Sequence, residues 1–350
     1  MTAEARAPGG GVTIEVLLDV EEPHTRFPVA GGVVRAVDGV SLQLAQGRTL
    51  GIVGESGSGK SVLIRSIMGL LPRRGVHTSG SVRLAGRSIL DLTDDELSRV
   101  WGREIGLVPQ DPQTALNPVL RVGRQLAEPL RRHLGMGRRE AKDRAAELLA
   151  QVRVPDPRRR LDQFPHELSG GLRQRVAIAM AIACCPRLLL ADEPTTALDV
   201  TVQAQILDLL ADIITDQDMS MILVTHDLAV IANCADEVAV MYAGKIVERA
   251  PTAALFQDVR MPYTEALLES IPLLSHPSHT RLRSISGAPP DPARRPSGCP
   301  FHPRCPYART DCARAEPTLQ PADLAEHEFA CWFPVSPRGV TTAPAEGKSV

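Results

Sequence analysis

The sequence has 350 residues, of which 43% are hydrophobic, 23% are charged and only 3% are aromatic, and its formal net charge is −2 at pH 7. This composition is typical of a globular protein with an aliphatic core, and the near-neutral charge gives no bulk attraction to nucleic acid. The sequence contains no run of about 18 apolar residues and no signal-peptide core, so it predicts a protein that reaches a membrane only through a partner.

Strand-like and helix-like segments alternate along the first 260 residues. The predicted strands lie at about Val12–Val20, Val33–Leu44, Thr49–Val53, Ser81–Leu84, Ile105–Pro109, Arg187–Ala191, Met221–Thr225, Val238–Tyr242 and Lys245–Glu248. The predicted helices lie at about Ser61–Leu71, Val122–His133, Arg139–Val152, Gly170–Cys184, Val202–Thr215 and Leu228–Asn233. This alternation predicts an α/β fold around a mostly parallel sheet.

Shifts in composition predict the domain organisation. Residues 1–11 are rich in Ala, Gly and Pro and are predicted to be disordered, and residues 12–260 form one α/β domain with a helical part at about 112–184. Residues 261–336 are enriched in Pro, Arg and Cys, which predicts a small irregular second domain. Residues 337–350 are predicted to be a disordered tail.

A glycine-rich segment between a predicted strand and a predicted helix fits the pattern G-x-x-x-x-G-K-[ST]. Its glycines allow several backbone N–H groups to point at phosphate oxygens, and the following helix adds its positive N-terminal end. We expect Lys60 to hold the β- and γ-phosphates of a nucleotide and Ser61 to place its hydroxyl on Mg²⁺. The predicted ATP-binding residues here are Gly54, Glu55, Ser56, Gly57, Ser58, Gly59, Lys60 and Ser61.

Two carboxylates follow the apolar run 188–191, at the end of a predicted central strand. Ligands bind at the carboxyl ends of strands in parallel sheets, so both side chains are predicted to face the nucleotide. Asp192 is expected to orient Mg²⁺, directly or through water, and Glu193 to polarise the water that attacks the γ-phosphate.

The segment Leu168–Arg175 reads Leu-Ser-Gly-Gly-Leu-Arg-Gln-Arg and resembles the signature sequence of ATP-binding cassette (ABC) ATPases. The resemblance implies a P-loop NTPase cassette with a mostly parallel central sheet, an antiparallel β-subdomain and a helical signature subdomain. It also implies that the signature contacts the γ-phosphate held by a second ATPase subunit. The residues assigned to this site are Ser169, Gly170, Gly171 and Gln174.

Three further features match the family by position, and a fourth residue is a candidate for contact with adenine. Gln110 follows a strand as the glutamine-loop residue does, which implies contact with Mg²⁺ or the water. The segment Ala197-Leu198-Asp199 resembles the family's aspartate loop, which implies that Asp199 lies at the dimer interface. His226 matches the switch histidine that contacts the γ-phosphate. Phe27 is the only aromatic candidate upstream of the phosphate loop for stacking on adenine, and its alternative role is packing within the β-subdomain.

Longer stretches around the signature and the acidic strand, together with Met261–Thr264, look like the ATPases of oligopeptide/dipeptide importers. The resemblance implies an enzyme that hydrolyses MgATP at a dimer interface to power the import of peptides. Its implied partners are a homologous or identical ATPase subunit, two transmembrane permease subunits and an extracytoplasmic solute-binding protein. The implied location is peripheral, on the cytoplasmic face of the cell (inner) membrane.

Four cysteines, Cys299, Cys305, Cys312 and Cys331, have the spacing C-x5-C-x6-C-x18-C. Four thiolates suit zinc or an iron–sulfur cluster, and this spacing alone does not decide between them. The segment resembles the C-terminal extension of peptide-importer ATPases, which implies a [4Fe–4S] cluster, with zinc as the alternative.

Two other functions remain open on the sequence. Soluble ABC ATPases of DNA repair or translation usually carry a long coiled-coil insertion or two cassettes, whereas here 58 residues separate Gln110 from Ser169 and one phosphate loop is present. Importers of nickel and other small solutes use similar ATPases. The near-neutral charge and the few aromatic residues argue against nucleic acid as a partner.

Overall fold

The computed structural model describes residues 15–196, 198–271, 285–323 and 326–335. The segments predicted to be disordered, 1–11 and 337–350, lie outside these residues. No helix among the described residues is both long enough and apolar enough to cross a bilayer.

The strands are β1 (Val16–Val29), β2 (Gly32–Asp38), β3 (Leu42–Ala45), β4 (Thr49–Val53), β5 (His77–Leu84), β6 (Arg87–Ser88), β7 (Ile105–Val108), β8 (Leu188–Asp192), β9 (Ser220–Thr225), β10 (Glu237–Tyr242), β11 (Lys245–Pro251), β12 (Gln320–Pro321) and β13 (Glu328–Phe329). The helices are α1 (Lys60–Ile67), α2 (Asp94–Val100), α3 (Pro112–Ala115), α4 (Val122–Leu134), α5 (Arg138–Gln151), α6 (Pro157–Arg160), α7 (Gly170–Ala181), α8 (Val200–Asp216), α9 (Leu228–Cys234), α10 (Thr252–Gln257), α11 (Pro262–Glu269) and α12 (Thr310–Arg314), with a 3-10 helix at Pro165–Glu167.

The central sheet has eight strands in the order β12-β13-β11-β10-β4-β9-β8-β7. The strands from β10 to β7 run parallel, and the strands beyond β10 pair antiparallel. Every residue of β4, β8 and β9 is buried. Burial on both faces explains why these strands are continuous apolar runs rather than alternating ones. The predicted mostly parallel sheet is confirmed.

The antiparallel sheet has the order β2-β1-β5-β6, and β3 also pairs with β1. Its long strand β1 contains 14 residues and extends beyond the predicted strand Val12–Val20, and its pairings with β2, β3 and β5 each contain one irregularity in register. Leu18, Val20 and Leu42 are buried in the same apolar cluster as Leu63 of α1. The antiparallel sheet therefore supports the helix that follows the phosphate loop.

The helical part is built on α4, α5 and α7, whose apolar residues share one core with the central sheet. Helix α4 ends at Gly135, whose φ of 69° is the left-handed conformation that glycine adopts easily at a helix end. Helix α2 was not predicted, although Thr93 and Glu96 form a capping box in which each side chain bonds to the other residue's backbone N–H.

The region after residue 260 does not form the separate Cys-rich domain that the sequence predicted. Strand β13 pairs with β11 and so extends the central sheet. Phe301, Phe329 and three of the four cysteines are buried in the same apolar cluster as the central strands. The region folds onto the sheet because β11 offers a free edge and this region has apolar side chains to cover it. The domain limits themselves stay predictions.

A buried carboxylate fastens this region to the sheet. Glu248 of β11 is fully buried, and its Oε1 accepts from the backbone N–H of Arg260 at 2.6 Å and lies 2.9 Å from Nε2 of His327. Its Oε2 accepts from the backbone N–H of Met261 at 3.2 Å. A buried carboxylate that satisfies several donors is expensive to remove, because each donor then loses its partner.

We therefore expect Glu248→Ala to lower the free energy of unfolding by about 3–5 kcal/mol, measured by urea titration. The matched control is Glu237→Ala, which removes a carboxylate that is 42% exposed and pairs with Arg249 at the surface. That control should cost less than about 1 kcal/mol. Equal losses in the two variants would contradict the anchoring role of Glu248.

Candidate nucleotide site

The phosphate loop joins β4 to α1 at the centre of the main sheet. Gly59 has a φ of 105°, and a Cβ there would lie 2.1 Å from the carbonyl oxygen of Ala36. A Cβ at Gly54 would lie 2.1 Å from the carbonyl oxygen of Met241. Only glycine fits at either position, since real side chains essentially never approach this closely. The sequence pattern therefore reflects crowding of the loop against β2 and β10.

Lys60, the first residue of α1, is 4% exposed. Its Nζ donates to the carbonyl oxygens of Gly54 at 2.6 Å and Glu55 at 3.0 Å, and it lies 3.8 Å from Oε1 of Glu193. Burial lowers the pKa of Lys60, while the neighbouring carboxylates oppose that shift. The lysine thus reaches back across its own loop, and its charge lies beside the loop that the sequence predicts to bind phosphates.

Ser61 and Asp192, both predicted to hold Mg²⁺, lie together. The hydroxyl of Ser61 donates to Oδ1 of Asp192 at 3.0 Å. Burial raises the pKa of Asp192, which lies at the end of β8. A hydroxyl and a carboxylate at this separation are oxygen donors of the kind that Mg²⁺ prefers. Gln110, the third predicted ligand, contacts Glu193 rather than these two residues.

Glu193 is the centre of a polar cluster. Its φ of 44° lies in the left-handed region, which costs a non-glycine residue about 1–2 kcal/mol, and its N–H donates to the carbonyl oxygen of Val224 at 2.9 Å. Its Oε2 accepts from Gln110 at 3.2 Å and from Thr196 at 2.9 Å, and it lies 3.3 Å from Nδ1 of His226. The predicted residues Gln110, Glu193 and His226 are thus brought together.

Thr196 was not among the predicted site residues. Its N–H donates to the carbonyl oxygen of Glu193 at 3.2 Å, in a turn that returns the threonine hydroxyl to the carboxylate. The sequence signal that could have found it is the position of Thr196 three residues after Glu193, beyond Pro194, where a turn is favoured.

A cavity of about 220 Å³ lies beside the phosphate loop. Its lining contains loop residues from Glu55 to Ser61 together with Gln110 and Glu193, and also Val34–Ala36 of β2. The lining also contains four residues that the sequence did not predict there, Pro289, Pro290, Pro292 and Arg295. Within the described residues, Phe27 does not line this cavity; it pairs across the strands with Val34, which does.

The signature residues lie at the start of α7, away from the described walls of this cavity. The hydroxyl of Ser169 accepts from the N–H of Leu172 at 3.4 Å, so it caps the helix, and Ser169 is exposed. Gly171 packs closely on Val202 of α8, since a Cβ there would lie 3.0 Å from Cγ1 of Val202. Gln174 is 1% exposed, and its Nε2 has no hydrogen-bond partner among the described residues.

Asp199 is exposed and caps α8, where its Oδ1 accepts from the N–H of Val202 at 2.9 Å. Because Val202 also packs on Gly171, the predicted aspartate loop and the predicted signature are neighbours within the chain. Ala197, which the sequence assigned to the same loop, lies outside the described residues.

The four C-terminal cysteines line one cavity of about 10 Å³. Burial raises the pKa of Cys299 to about 11 and of Cys331 to about 12, and it also raises the pKa of Cys305. The convergence of four thiols fits a thiolate-bound metal group in chemistry. In geometry the fit is poor, because no group of three or more potential ligands in the described chain is arranged to hold a metal ion. The predicted cluster is therefore not supported by the distances.

Two family models match the chain. Residues 37–196 match the model described as "ABC transporter", and residues 247–312 match the model described as "Oligopeptide/dipeptide transporter, C-terminal region". The first range contains the phosphate loop, Gln110, the signature and the acidic strand. The second begins in β11 and ends within the cysteine-containing region.

Curated proteins of similar length also match. The dipeptide transport ATP-binding protein DppD of Haemophilus influenzae is 46% identical over 323 residues, which cover 92% of this chain and 97% of that protein. The oligopeptide transport ATP-binding protein OppD of Bacillus subtilis is 47% identical over 324 residues, which cover 92% of this chain and 90% of that protein.

Solved structures agree in fold. A dimeric structure of the ATP-binding cassette MJ0796 in a post-hydrolysis state, bound to ADP and Pi, matches with a TM-score of 0.61 and 29% identity over 67% of this chain and 99% of that one. The structure of cbiO1 from Clostridium perfringens, part of the ABC transporter complex cbiONQ, matches with a TM-score of 0.58 and 26% identity over 69% and 90% of the two chains.

The position of Glu193 predicts a specific kinetic defect. We expect Glu193→Gln to lower the ATP turnover number about 10²–10⁴-fold, because the amide cannot accept a proton from the attacking water. ATP affinity should change little, since the side chain keeps its size and its contact with Thr196. Turnover and ATP binding are measured on the purified protein and on its assembled complex.

Glu147→Gln is the matched control, because Glu147 lies on α5 and its side chain is 64% exposed. It should leave both quantities unchanged. Turnover of the Glu193→Gln complex close to the wild-type value would exclude Glu193 as the base.

Proposed function

We propose that this chain, which belongs to the family of ABC transporter ATP-binding proteins, hydrolyses MgATP to power the import of di- or oligopeptides through a membrane permease. One observation carries the nucleotide chemistry: Lys60, Gln110 and Glu193 meet in one cavity beside the phosphate loop. The names of the relatives support peptides as the cargo. The match of residues 247–312 to the peptide-transporter C-terminal region supports the same choice.

Within this proposal, the residues of the nucleotide site have separate roles. The loop N–H groups and Lys60 bind the β- and γ-phosphates, and Ser61 and Asp192 would hold Mg²⁺, which would neutralise charge that develops on the phosphate oxygens. Glu193 takes the proton of the attacking water while Gln110 and His226, both within 3.3 Å of its carboxylate, keep it oriented.

The signature is proposed to act on a second ATPase subunit, which is either a copy of this chain or a homologue. Ser169 and Asp199 are exposed and do not line the cavity of their own chain, and the segments that contain them pack together through Gly171 and Val202. Val200, next to Asp199, is 83% exposed, so this surface presents an apolar side chain beside the polar ones. A site with donors of this kind at the start of a helix suits a phosphate group from another subunit.

The remaining partners follow from the proposed transport function. Two transmembrane permease subunits would bind this chain on the cytoplasmic face of the membrane, and a solute-binding protein would deliver peptide from the other side. Gln110 precedes α3 in sequence and contacts Glu193, which supports a role for it in passing movement from a permease to Glu193. A soluble role in DNA repair or translation is not favoured by the matches.

We also propose a metal role for the four C-terminal cysteines, with a [4Fe–4S] cluster favoured and zinc as the alternative. Support comes from the donor set, since Cys299, Cys305, Cys312 and Cys331 share one cavity. Thiols whose pKa is raised by burial stay protonated at neutral pH, so a bound cationic group would be needed to hold them as thiolates. Binding requires the four sulfurs to rearrange within that cavity.

Peptide transport is tested by reconstituting the chain with its permease subunits and its solute-binding protein in proteoliposomes. We expect ATP-dependent accumulation of labelled di- and tripeptides, and its loss in the Glu193→Gln complex that still binds ATP. Accumulation of Ni²⁺ without peptide would assign another cargo. Purification with ribosomes or DNA and without any hydrophobic partner would contradict the importer.

The metal proposal is tested by iron, sulfide and zinc analysis of protein purified without oxygen. We expect about four irons and four sulfides per chain and an absorbance band that Cys312→Ser abolishes. Cys234→Ser, outside the group of four, is the control and should retain the band. One zinc per chain without sulfide would replace the cluster by zinc, and protein free of both metals would overturn the proposal.

A further inference from the structure

The second residue of the phosphate loop is held by residues from the far end of the chain. Both oxygens of the Glu55 carboxylate accept from the guanidinium of Arg304, at 2.6 Å from Nη1 to Oε2 and at 2.9 Å from Nη2 to Oε1. This two-bond geometry is the strongest form of carboxylate recognition by arginine. The Arg304 side chain is 5% exposed and the Glu55 side chain 24%, so water and salt screen the pair less than they screen an ordinary surface pair.

Arg304 is itself fixed from several sides. Its Nε donates to the carbonyl oxygen of Ser286 at 2.9 Å, and Nη1 lies 3.3 Å from the hydroxyl of Tyr242. The guanidinium lies 6.0 Å from the ring centroids of Tyr242 and of Phe301. The hydrogen bonds to Glu55 raise the pKa of Arg304, so the guanidinium remains charged at every relevant pH.

The backbone of the same loop residue is held as well. The N–H of Glu55 donates to the hydroxyl of Tyr263 at 2.8 Å, and Tyr263 is fully buried. Tyr263 packs against Tyr242 and Phe301 with centroid distances of 4.5 Å and 5.3 Å. Glu55 is therefore clamped through its side chain and through its main chain by residues that follow the parallel sheet in sequence.

The contacts that hold Glu55 affect nucleotide binding because they neutralise the charge of its carboxylate. The carbonyl oxygen of Glu55 accepts from Nζ of Lys60, so this residue contacts the lysine that faces the phosphates. Glu55 lines the cavity beside the phosphate loop, so a carboxylate without a partner there would repel the phosphates of a nucleotide. Arg304 neutralises that carboxylate without lining the cavity itself, within the described residues.

We propose that Arg304 is a positioning residue for the phosphate loop, which fixes Glu55 and cancels its charge so that the loop accepts ATP. The inference rests on nucleotide binding at this loop, as in the proposed function, and not on the cargo. It makes the region after residue 285 a determinant of ATP affinity.

The test measures ATP dissociation constants, KM and kcat on the full-length chain and on its assembled complex. We expect Arg304→Ala to raise both the dissociation constant and KM about 10-fold or more, and to change kcat less than 3-fold. Arg304→Lys keeps the charge and loses the two-bond geometry, so it should fall between the wild type and Arg304→Ala. Arg314→Ala, whose side chain is 73% exposed, is the control and should match the wild type.

A double variant distinguishes the loss of charge neutralisation at Glu55 from a loss of folding stability. If Arg304 acts by cancelling the Glu55 charge, the double variant Glu55→Gln/Arg304→Ala should recover most of the lost ATP affinity. Recovery supports the proposal even if the single variant is less stable. Wild-type affinity in a folded Arg304→Ala, or a double variant as weak as the single one, would overturn it. Failure of the wild-type chain to bind ATP would instead refute the nucleotide site.

Discussion

The side chain of Lys60 is 4% exposed, and its ammonium group can be kept charged there only if nearby oxygens replace water. The carbonyl oxygens of Gly54 and Glu55 supply two partners, and the carboxylate of Glu193 lies 3.8 Å away. This requirement explains why the loop must curl tightly enough to present its own carbonyls. The close approach of that loop to β2 and β10 in turn leaves room only for glycine at two of its positions.

Two glutamates link Lys60 to other polar and charged side chains. Glu193 connects the lysine to Gln110, Thr196 and His226, while Glu55 connects it to Arg304. Each carboxylate therefore faces the nucleotide cavity on one side and a polar partner on the other. Compensation of this kind allows a site to hold a highly anionic ligand without leaving an isolated buried charge when that ligand departs.

The local parts of this architecture were predictable, and the distant pairings were not. Strand β4 was predicted at Thr49–Val53, as the structure has it, because it is a short apolar run ended by glycine. Strands β12 and β13 contain two residues each, too few to show any period. The contact of Glu55 with Arg304 spans 249 positions in sequence, so no local pattern predicts it. The capping box at Thr93 was readable in principle, since its signal is local.

The order of strands in the central sheet also has a consequence for how the protein folds. Strand β4, which carries the phosphate loop, lies between β9 and β10, although about 170 residues separate it from β9 in sequence. On a ribosome, β4 emerges long before either neighbour, so the N–H and C=O groups of this apolar strand gain their partners only after both neighbours have been synthesised. Arg304 emerges later still. The phosphate loop is therefore among the first parts of the site to be synthesised and among the last to reach its final shape, which makes ATP binding a sensitive reporter of completed folding.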